Sequence, residues 1–265
     1  MNWRRLGWAG LELEAGGETI VVDHLLDPGI LLTRFFGEER DELVVPEPGR
    51  ALAGLVTHLH RDHTDVAAIG AALTPDGVVL RPPRKTAETP LDEFATGEAE
   101  SAFAVGGLRT RSCAAGDRTE IGPFTLTALS ASDGLGSPQI SWLVEADERR
   151  VLHAGDTMWH GAWWDINAAH GRVDLAFLPG NGVEINFPQW QPPAAVPAVM
   201  TPEQSVEAAH ALQARTLVPI HYNRTFEHPD HYRPAADART HISELAAQRA
   251  IEVCFAEPGQ WHELD

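Results

Sequence analysis

Cysteine is scarce in this sequence, and the two that occur, Cys113 and Cys254, are far apart. Neither has a neighbouring cysteine, so the paired spacing of a thiolate zinc site or a redox motif is absent. Each is predicted to be a small buried hydrophobic residue. The first seven residues lack the apolar core of a signal peptide, and no run of about 18 apolar residues occurs. We therefore expect a cytoplasmic protein with no membrane partner.

Basic residues are also few, with 20 lysines and arginines against 38 aspartates and glutamates. The formal net charge is −18, and no basic cluster is longer than the pair Arg149 and Arg150. A field of this sign repels nucleic-acid backbones and anionic membrane surfaces. The composition therefore predicts a small-molecule substrate and no nucleic-acid partner. The sequence leaves the oligomeric state open, a homo-oligomer included.

Three common signatures of enzymes are missing. Ser130, Ser132 and Ser137 lack the Gly-x-Ser-x-Gly setting that exposes a nucleophilic serine at a strand-to-helix turn. No glycine-rich phosphate loop and no dinucleotide fingerprint occurs either. These absences disfavour a serine hydrolase and give no sign of a nucleotide cofactor.

The chain has 265 residues, enough for one large domain or two small ones. No internal repeat or linker interrupts it, so a single domain over residues 1–265 is predicted. Short β-rich segments alternate with segments of helical pattern, which indicates a mixed α/β protein. The main helices are predicted at 65–73, 85–94, 203–213 and 234–248.

The strongest motif lies at residues 57–63, where a short apolar run is followed by Thr-His-Leu-His-Arg-Asp-His. Four of these side chains can bind metal, and packing alone would need a separate buried partner for each. Residues two apart in an extended chain face the same side, so His58 and His60 can converge on one cation. A turn into the following helix would carry Asp62 and His63 away, where they could hold a second cation. Metal binding is favoured over a cluster of solvated surface histidines.

At these residues the sequence resembles the metallo-β-lactamase superfamily, whose signature is His-x-His-x-Asp-His. Two further elements of that family occur in the expected order, Gly155-Asp156-Thr157 after one strand and His221 after a later one. Within the superfamily the chain looks most like small single-domain hydrolases related to ascorbate-phosphate lactonase and the phosphodiesterases. The resemblance implies a four-layer αββα sandwich, with two packed β-sheets, helices outside, and metal ions at one edge.

The resemblance also implies which residues bind metal. The first ion would be held by His58 and His60, the second by Asp62, His63 and His221, and Asp156 would bridge the two. Imidazole and carboxylate ligands suit two divalent ions, zinc first, with manganese or iron as alternatives. Taken alone, Asp156 could instead be a turn-forming aspartate before threonine.

One ligand of the family pattern is missing. A third histidine for the first ion is expected after the strand at 124–129, where this chain has Ser-Ala-Ser followed by Asp133. Asp133 could replace it and give a more oxygen-rich site, or it could be a turn aspartate beside a weak or empty first site. His160, four residues after Asp156, could instead complete the first site, donate a proton to a leaving group, or bind a substrate oxygen.

Several side chains near these motifs are candidates for contact with the site. Trp159, Trp163 and Trp164 could form a wall for an apolar substrate group, although aromatic residues at this spacing are more often core residues. Five prolines between 188 and 202 indicate an extended loop on the same side. His153 could hydrogen-bond a ligand residue or be an ordinary core histidine. The remaining candidates, by position alone, are His24, Asn181, Tyr222 and Asn223.

These residues together predict a metal-dependent hydrolase. Two cations that share a water would lower its pKa enough to give a nucleophile at neutral pH. Asp62 could orient the water and accept its proton, and protonation of the leaving group would fall to His160 or to metal-bound water. The predicted substrate is a small-molecule lactone or other ester. The alternatives are a phosphodiesterase of the same fold, a binding or accessory protein with a degenerate site, and an iron-dependent redox protein.

Overall fold

Sixteen strands and six α-helices make up the computed structural model, which describes residues 1–29, 42–136, 138–221 and 230–264. The strands are β1 (Asn2–Gly7), β2 (Gly10–Ala15), β3 (Glu18–Val22), β4 (Ala51–Leu55), β5 (Leu73–Arg81), β6 (Thr110–Ser112), β7 (Arg118–Ile121), β8 (Phe124–Ser130), β9 (Ile140–Ala146), β10 (Arg149–His153), β11 (Leu175–Pro179), β12 (Glu184–Ile185), β13 (Thr216–Ile220), β14 (Tyr232–Arg233), β15 (Glu252–Val253) and β16 (His262–Glu263). The helices are α1 (Val66–Ala72), α2 (Pro90–Asp92), α3 (Glu98–Val105), α4 (Trp163–His170), α5 (Pro202–Ala211) and α6 (Ala238–Gln248), with a π-helical segment Glu93–Gly97 between α2 and α3.

The strands form two seven-stranded sheets and a small two-stranded sheet. The first sheet has the order β16-β1-β2-β3-β4-β5-β6, and the second has the order β15-β13-β11-β10-β9-β8-β7. The two-stranded sheet pairs β12 with β14. In the first sheet β3, β4, β5 and β6 run parallel, and in the second β10, β11, β13 and β15 run parallel. The remaining neighbours in these sheets pair in an antiparallel manner.

Alternating side chains show that the two sheets pack face to face with helices outside. Ile20 of β3 lies in the core between the sheets, whereas its neighbour Val21 packs on the opposite face with Ile69 of α1. In the second sheet, Leu152 of β10 likewise packs outward with Val206 of α5. Because successive strand residues point to opposite faces, each sheet is buried on both sides. The predicted αββα sandwich is confirmed.

One helix lies further along the chain than the sequence predicts. The helical segment predicted at 85–94 begins at Pro90 and continues to Val105. Thr89 has extended backbone angles, as is usual before proline, and its Oγ1 accepts the N–H of Asp92 at 3.1 Å. The predicted bounds 85–94 were therefore wrong, because the cap at Thr89 and the proline after it determine where the helix begins.

The carboxyl ends of the parallel strands in both sheets meet along one edge of the sandwich. Asp23, just after β3, accepts the backbone N–H of Thr57, just after β4, at 2.8 Å. The carbonyl of Thr57 accepts the N–H of Ile140 in the second sheet at 3.0 Å, which joins the two sheets at this edge. Among the described residues, no helix is both long and apolar enough to cross a bilayer. The single-domain organisation stays a prediction.

Candidate metal centre

The ligand motif leaves β4 and turns sharply before α1. The backbone N–H groups of His63 and Thr64 both donate to the carbonyl of His60 at 3.0 Å. The Thr64 hydroxyl donates to the carbonyl of His58 at 2.7 Å, and the Asp65 side chain caps α1. This turn separates the ligand residues into two groups, as the spacing predicts.

The first group contains His58, His60 and Asp133. Asp133 Oδ2 lies 3.6 Å from His58 Nε2 and 3.2 Å from His60 Nδ1. All three residues are buried, and within the described chain neither His58 Nε2 nor Asp133 Oδ2 has a hydrogen-bond partner. Buried polar atoms without partners are rare, so a cation between them is the simplest way to satisfy both. Asp133, which the sequence offers as a replacement for the missing histidine, therefore lies beside His58 and His60.

The second group contains Asp62, His63, Asp156 and His221. His63 Nε2 and His221 Nε2 are 2.8 Å apart, and they lie 3.0 and 2.9 Å from Asp156 Oδ1. Asp62 Oδ2 lies 3.7 Å from His63 Nε2 and 3.6 Å from His221 Nε2. Four donor atoms from three distant parts of the chain thus face one point, an arrangement typical of a metal site.

Burial dominates the charge states of the first group. It lowers the pKa of His58 well below the ordinary value, and the neighbouring His63 and His60 lower it further. Burial also raises the pKa of Asp133 to about 6, although His60 opposes this shift. Burial therefore favours the neutral form of His58 and shifts Asp133 towards its neutral form.

Charge pairing dominates the second group instead. Burial by itself would lower the pKa of His63, but Asp156, Asp62 and Asp23 together raise it well above the ordinary value. Burial would likewise raise the pKa of Asp156, but His221 and His63 hold it well below its usual range. The positive charge of His63 and the negative charge of Asp156 therefore stabilise each other.

A buried aspartate that the sequence analysis did not single out supports the second group. Asp23 accepts three hydrogen bonds, from the Thr57 N–H at 2.8 Å, the Thr57 hydroxyl at 2.6 Å and His63 Nδ1 at 2.7 Å. His153 lies behind it, with Nδ1 3.8 Å from Asp23 and Nε2 donating to the carbonyl of Ala9 at 2.7 Å. A carboxylate that holds the second nitrogen of a ligand histidine fixes its tautomer and ring orientation.

Trp8 provides the corresponding support for Asp62. Its indole N–H donates to Asp62 Oδ2 at 3.0 Å, and its ring lies against His221 with 4.1 Å between ring centroids. Trp8 is 1% exposed and has a positive φ of 34° in the turn between β1 and β2. Nothing in the sequence near Trp8 points to the site, because the contact joins residues 54 positions apart.

His160 lies outside all the ligand groups found among the described residues. Its ring stacks on Trp163 with 4.0 Å between centroids, and its Nδ1 accepts the N–H of Ala162 at 3.2 Å. Trp163 is fully buried, whereas Trp164 is 58% exposed, and neither they nor Trp159 line the cavity beside the ligands. The catalytic role of His160 stays a prediction. The three tryptophans do not form the substrate wall considered for them, because the structure places them away from the cavity.

The other candidates by position give little support for contact with the site. His24 is buried and belongs to none of the ligand groups, and burial lowers its pKa to about 4. Asn181 donates to the Tyr232 hydroxyl at 3.1 Å. Tyr222 and Asn223 lie outside the described residues.

A cavity of about 900 Å³ opens beside the two ligand groups. The ligand residues on its wall are His60, Asp62, Asp133, Asp156 and His221. This volume is in the range of sites for small molecules and cofactors. The centre is therefore accessible to a substrate of that size.

Comparisons with known proteins agree with this geometry. Residues 19–222 match the family model described as the beta-lactamase superfamily domain. A metal-dependent hydrolase of Thermococcus kodakarensis is 28% identical over 248 residues, 89% of this chain and 92% of that protein. Igni18, a metallo hydrolase of Ignicoccus hospitalis, is similar over 100% of this chain and 99% of its own, with a TM-score of 0.65 and 18% identity. CmlA, a diiron β-hydroxylase of Streptomyces venezuelae, is similar over 95% of this chain and 52% of its own, with a TM-score of 0.71 and 18% identity.

Proposed function

This chain belongs to the beta-lactamase superfamily, and from that premise we propose that it uses two divalent metal ions to hydrolyse a small-molecule ester or lactone. Its curated relatives are metal-dependent hydrolases, and its fold is a hydrolase fold. The relatives support metal-dependent hydrolysis, and the number of ions and the ester or lactone bond are our proposal. The net charge of −18 supports a small molecule, and no nucleic acid or membrane, as the partner.

The convergence of the second ligand group is the observation that supports this proposal most. His63 Nε2 and His221 Nε2 face each other at 2.8 Å, and both lie within 3.0 Å of one oxygen of Asp156. Two imidazole nitrogens and a carboxylate oxygen that share one buried point fit a cation better than they fit one another. In the first group, His58 Nε2 and Asp133 Oδ2 have no hydrogen-bond partner among the described residues, and this group fits a second cation in the same way.

The protein's own residues would hold the ions and handle the protons. When bound, the two ions would lower the pKa of a shared water and polarise the carbonyl oxygen of the substrate. Asp62 is the proposed proton acceptor, since its side chain is 18% exposed, against 12% for Asp156 and 2% for Asp133. Trp8 holds Asp62 in place through the indole N–H. His160 remains a predicted proton donor, and the proposal does not depend on it.

Zinc is the proposed metal, with manganese and iron as alternatives. The first group offers two imidazoles and one carboxylate, and the second offers two imidazoles and two carboxylates. Imidazole suits zinc and iron, while each added carboxylate makes manganese more acceptable. Iron belongs in the test because CmlA, which shares the fold, is a diiron protein.

The test combines metal content with a substrate panel. Protein purified without added metal is analysed for zinc, manganese and iron, and is then assayed with lactones, carboxylic esters and phosphodiesters. We expect about two equivalents of metal, and ester or lactone turnover that is lost in His58→Ala. His210→Ala is the matched control, because His210 is an exposed histidine in α5 away from the ligand groups.

Three outcomes would contradict the proposal. Turnover that His58→Ala leaves unchanged would remove the metal mechanism. A preference for phosphodiesters would support the phosphodiesterase alternative. Protein that neither contains metal nor takes it up would support the binding or accessory alternative.

A further inference from the structure

We infer that the cavity beside the metal centre binds a neutral substrate with a large apolar arm, packed against Phe94, Phe187 and Trp190, and discriminates against anionic substrates. This inference rests on the proposed function, since it names the substrate class of the same site. It depends on the shape and charge of the cavity wall, to which the ligand carboxylates also contribute.

Three aromatic rings form one wall of the cavity. Phe94 meets Trp190 edge to face, with 5.5 Å between ring centroids and 73° between planes. Phe187 lies 6.0 Å from Trp190 with the planes tilted by 54°. Phe94 comes from the π-helical segment, and the other two rings come from the proline-rich segment, so this aromatic wall joins two regions distant in sequence. Phe94 is 43% exposed, so part of its ring is open to contact with a bound group.

Aliphatic side chains connect the aromatic wall to the metal centre. Leu135 lies two residues after Asp133, and its N–H donates to Asp133 Oδ1 at 2.6 Å. Leu135 also packs against the apolar cluster that contains Val183 and Val199, and all three residues line the cavity. A substrate whose reacting bond lies at the ligands would therefore direct an attached apolar group along these side chains, where burial is favourable.

The remaining charges of the cavity wall are mostly negative. Besides the metal ligands, the described lining residues include four carboxylates, those of Asp27, Asp65, Glu93 and Glu98. Arg61 is the one lysine or arginine among the described lining residues. Its guanidinium pairs with Glu98 and donates to the carbonyl of Pro28 at 3.3 Å. A cation already paired in this way offers little to a phosphate or carboxylate of a substrate.

The ligand set itself reduces the attraction for anions. Asp62, Asp133 and Asp156 would cancel three of the four positive charges that two divalent ions bring. A histidine in place of Asp133 would leave one more positive charge at the centre. Since charge near the reacting group decides between neutral and anionic substrates, Asp133 favours a neutral ester or lactone.

Two pairs of substrates test the inference with metal-loaded protein. 4-Nitrophenyl acetate and 4-nitrophenyl octanoate differ in the apolar arm, while the octanoate and 4-nitrophenyl octyl phosphate differ in charge at the reacting centre. Each buried methylene can contribute up to about fourfold, so we expect kcat/KM for the octanoate to exceed that for the acetate at least tenfold. We expect the phosphodiester to have at least a tenfold higher KM than the octanoate. Equal values in either pair would overturn the inference.

Substitutions in the aromatic wall locate the apolar subsite. In Trp190→Ala and Phe94→Ala the octanoate-to-acetate ratio of kcat/KM should fall at least fivefold. Trp164→Ala is the matched control, because Trp164 is 58% exposed and lies outside the cavity. A ratio that stays constant in the wall variants, or falls equally in the control, would place the arm elsewhere. If circular dichroism shows that Trp190→Ala does not fold, the comparison is made with Phe94→Ala alone, because Phe94 is half-exposed and its replacement removes little core packing.

A binding measurement separates this inference from the proposed function. The neutral fluorescent probe N-phenyl-1-naphthylamine is titrated into the wild type and the same three variants. We expect the Kd to rise at least fivefold in the two wall variants and to stay unchanged in Trp164→Ala. This result would support the apolar subsite even if no ester or lactone were hydrolysed. A Kd equal in all four proteins would overturn the subsite even if hydrolysis were found.

Discussion

The two ligand groups differ in what holds their side chains. In the second group, His63 donates to the fully buried Asp23, and Asp62 accepts a hydrogen bond from the buried Trp8. In the first group, Asp133 lies in the loop after β8, and its Oδ1 accepts the N–H of Leu135, two residues along the same loop. The second group is thus fixed by the core of the sandwich, whereas part of the first depends on a short local turn.

The loop that carries Asp133 is nevertheless attached to the second group. Asp133 forms an isolated antiparallel bridge with Thr157, the residue after Asp156. The N–H of Met158 also donates to the carbonyl of Ser132 at 2.8 Å. These contacts bring Asp133 close to His58 and His60, which follow β4. The comparison therefore predicts tighter metal binding at the second group, which has four ligand residues and core support, than at the first.

The largest effect is expected from His221→Ala, which removes a ligand of the better supported group. The second ion should be lost, and turnover should fall by more than the roughly 100-fold upper range for residues that only support a ligand. Metal analysis and kcat/KM for the preferred ester or lactone measure this. His210→Ala serves again as the control. A His221→Ala protein that keeps two equivalents of metal would contradict the assignment of this group.

Asp133 tests the other half of the comparison. Asp133→Ala should lose the first ion and keep about one equivalent of metal, because the second group stays intact. Asp133→His should bind zinc at the first group more tightly than the wild type, since it adds a third imidazole. Competition with a chromophoric chelator measures both affinities. Loss of both ions in Asp133→Ala would show that the two groups do not bind independently.

Much of the fold and the ligand set could be predicted because the signals are local. The period-two spacing in residues 57–63 and the turn after it separate His58 and His60 from Asp62 and His63. Asp133 could be proposed because it follows a predicted strand at the position where the family has a histidine. Such arguments need a few neighbouring residues and the direction of one strand.

The parts that could not be predicted depend on contacts between distant residues. Asp23 ends a predicted strand, but its role follows from the pairing of β3 with β4, which the sequence does not specify. Trp8 and the aromatic wall give no local signal, and the three tryptophans that cluster in sequence lie elsewhere. The helix begins later than the predicted 85–94 because Pro90 suits the first helical position and Thr89 caps it.

Asp23→Asn is expected to have the next largest effect. It keeps the size of the side chain but removes the charge that orients His63, so metal affinity at the second group should fall by about 10- to 100-fold. Chelator competition measures this, with Asp76→Asn as the control because Asp76 is exposed in β5. An affinity unchanged in Asp23→Asn would mean that His63 is oriented by packing alone.

The smallest effect is expected from Trp8→Phe. Phenylalanine keeps most of the buried aromatic volume against His221 but removes the indole N–H that Asp62 accepts at 3.0 Å. Turnover should fall by up to about tenfold, at the lower end of the range for such supporting contacts, while two equivalents of metal are retained. Thermal unfolding separates this effect from loss of packing, and Trp3→Phe is the control, because Trp3 is a buried core tryptophan that packs on Phe177. If Trp8→Phe lost the second ion altogether, the indole N–H would be essential for metal binding, and a single hydrogen bond would support this group more than the surrounding core does.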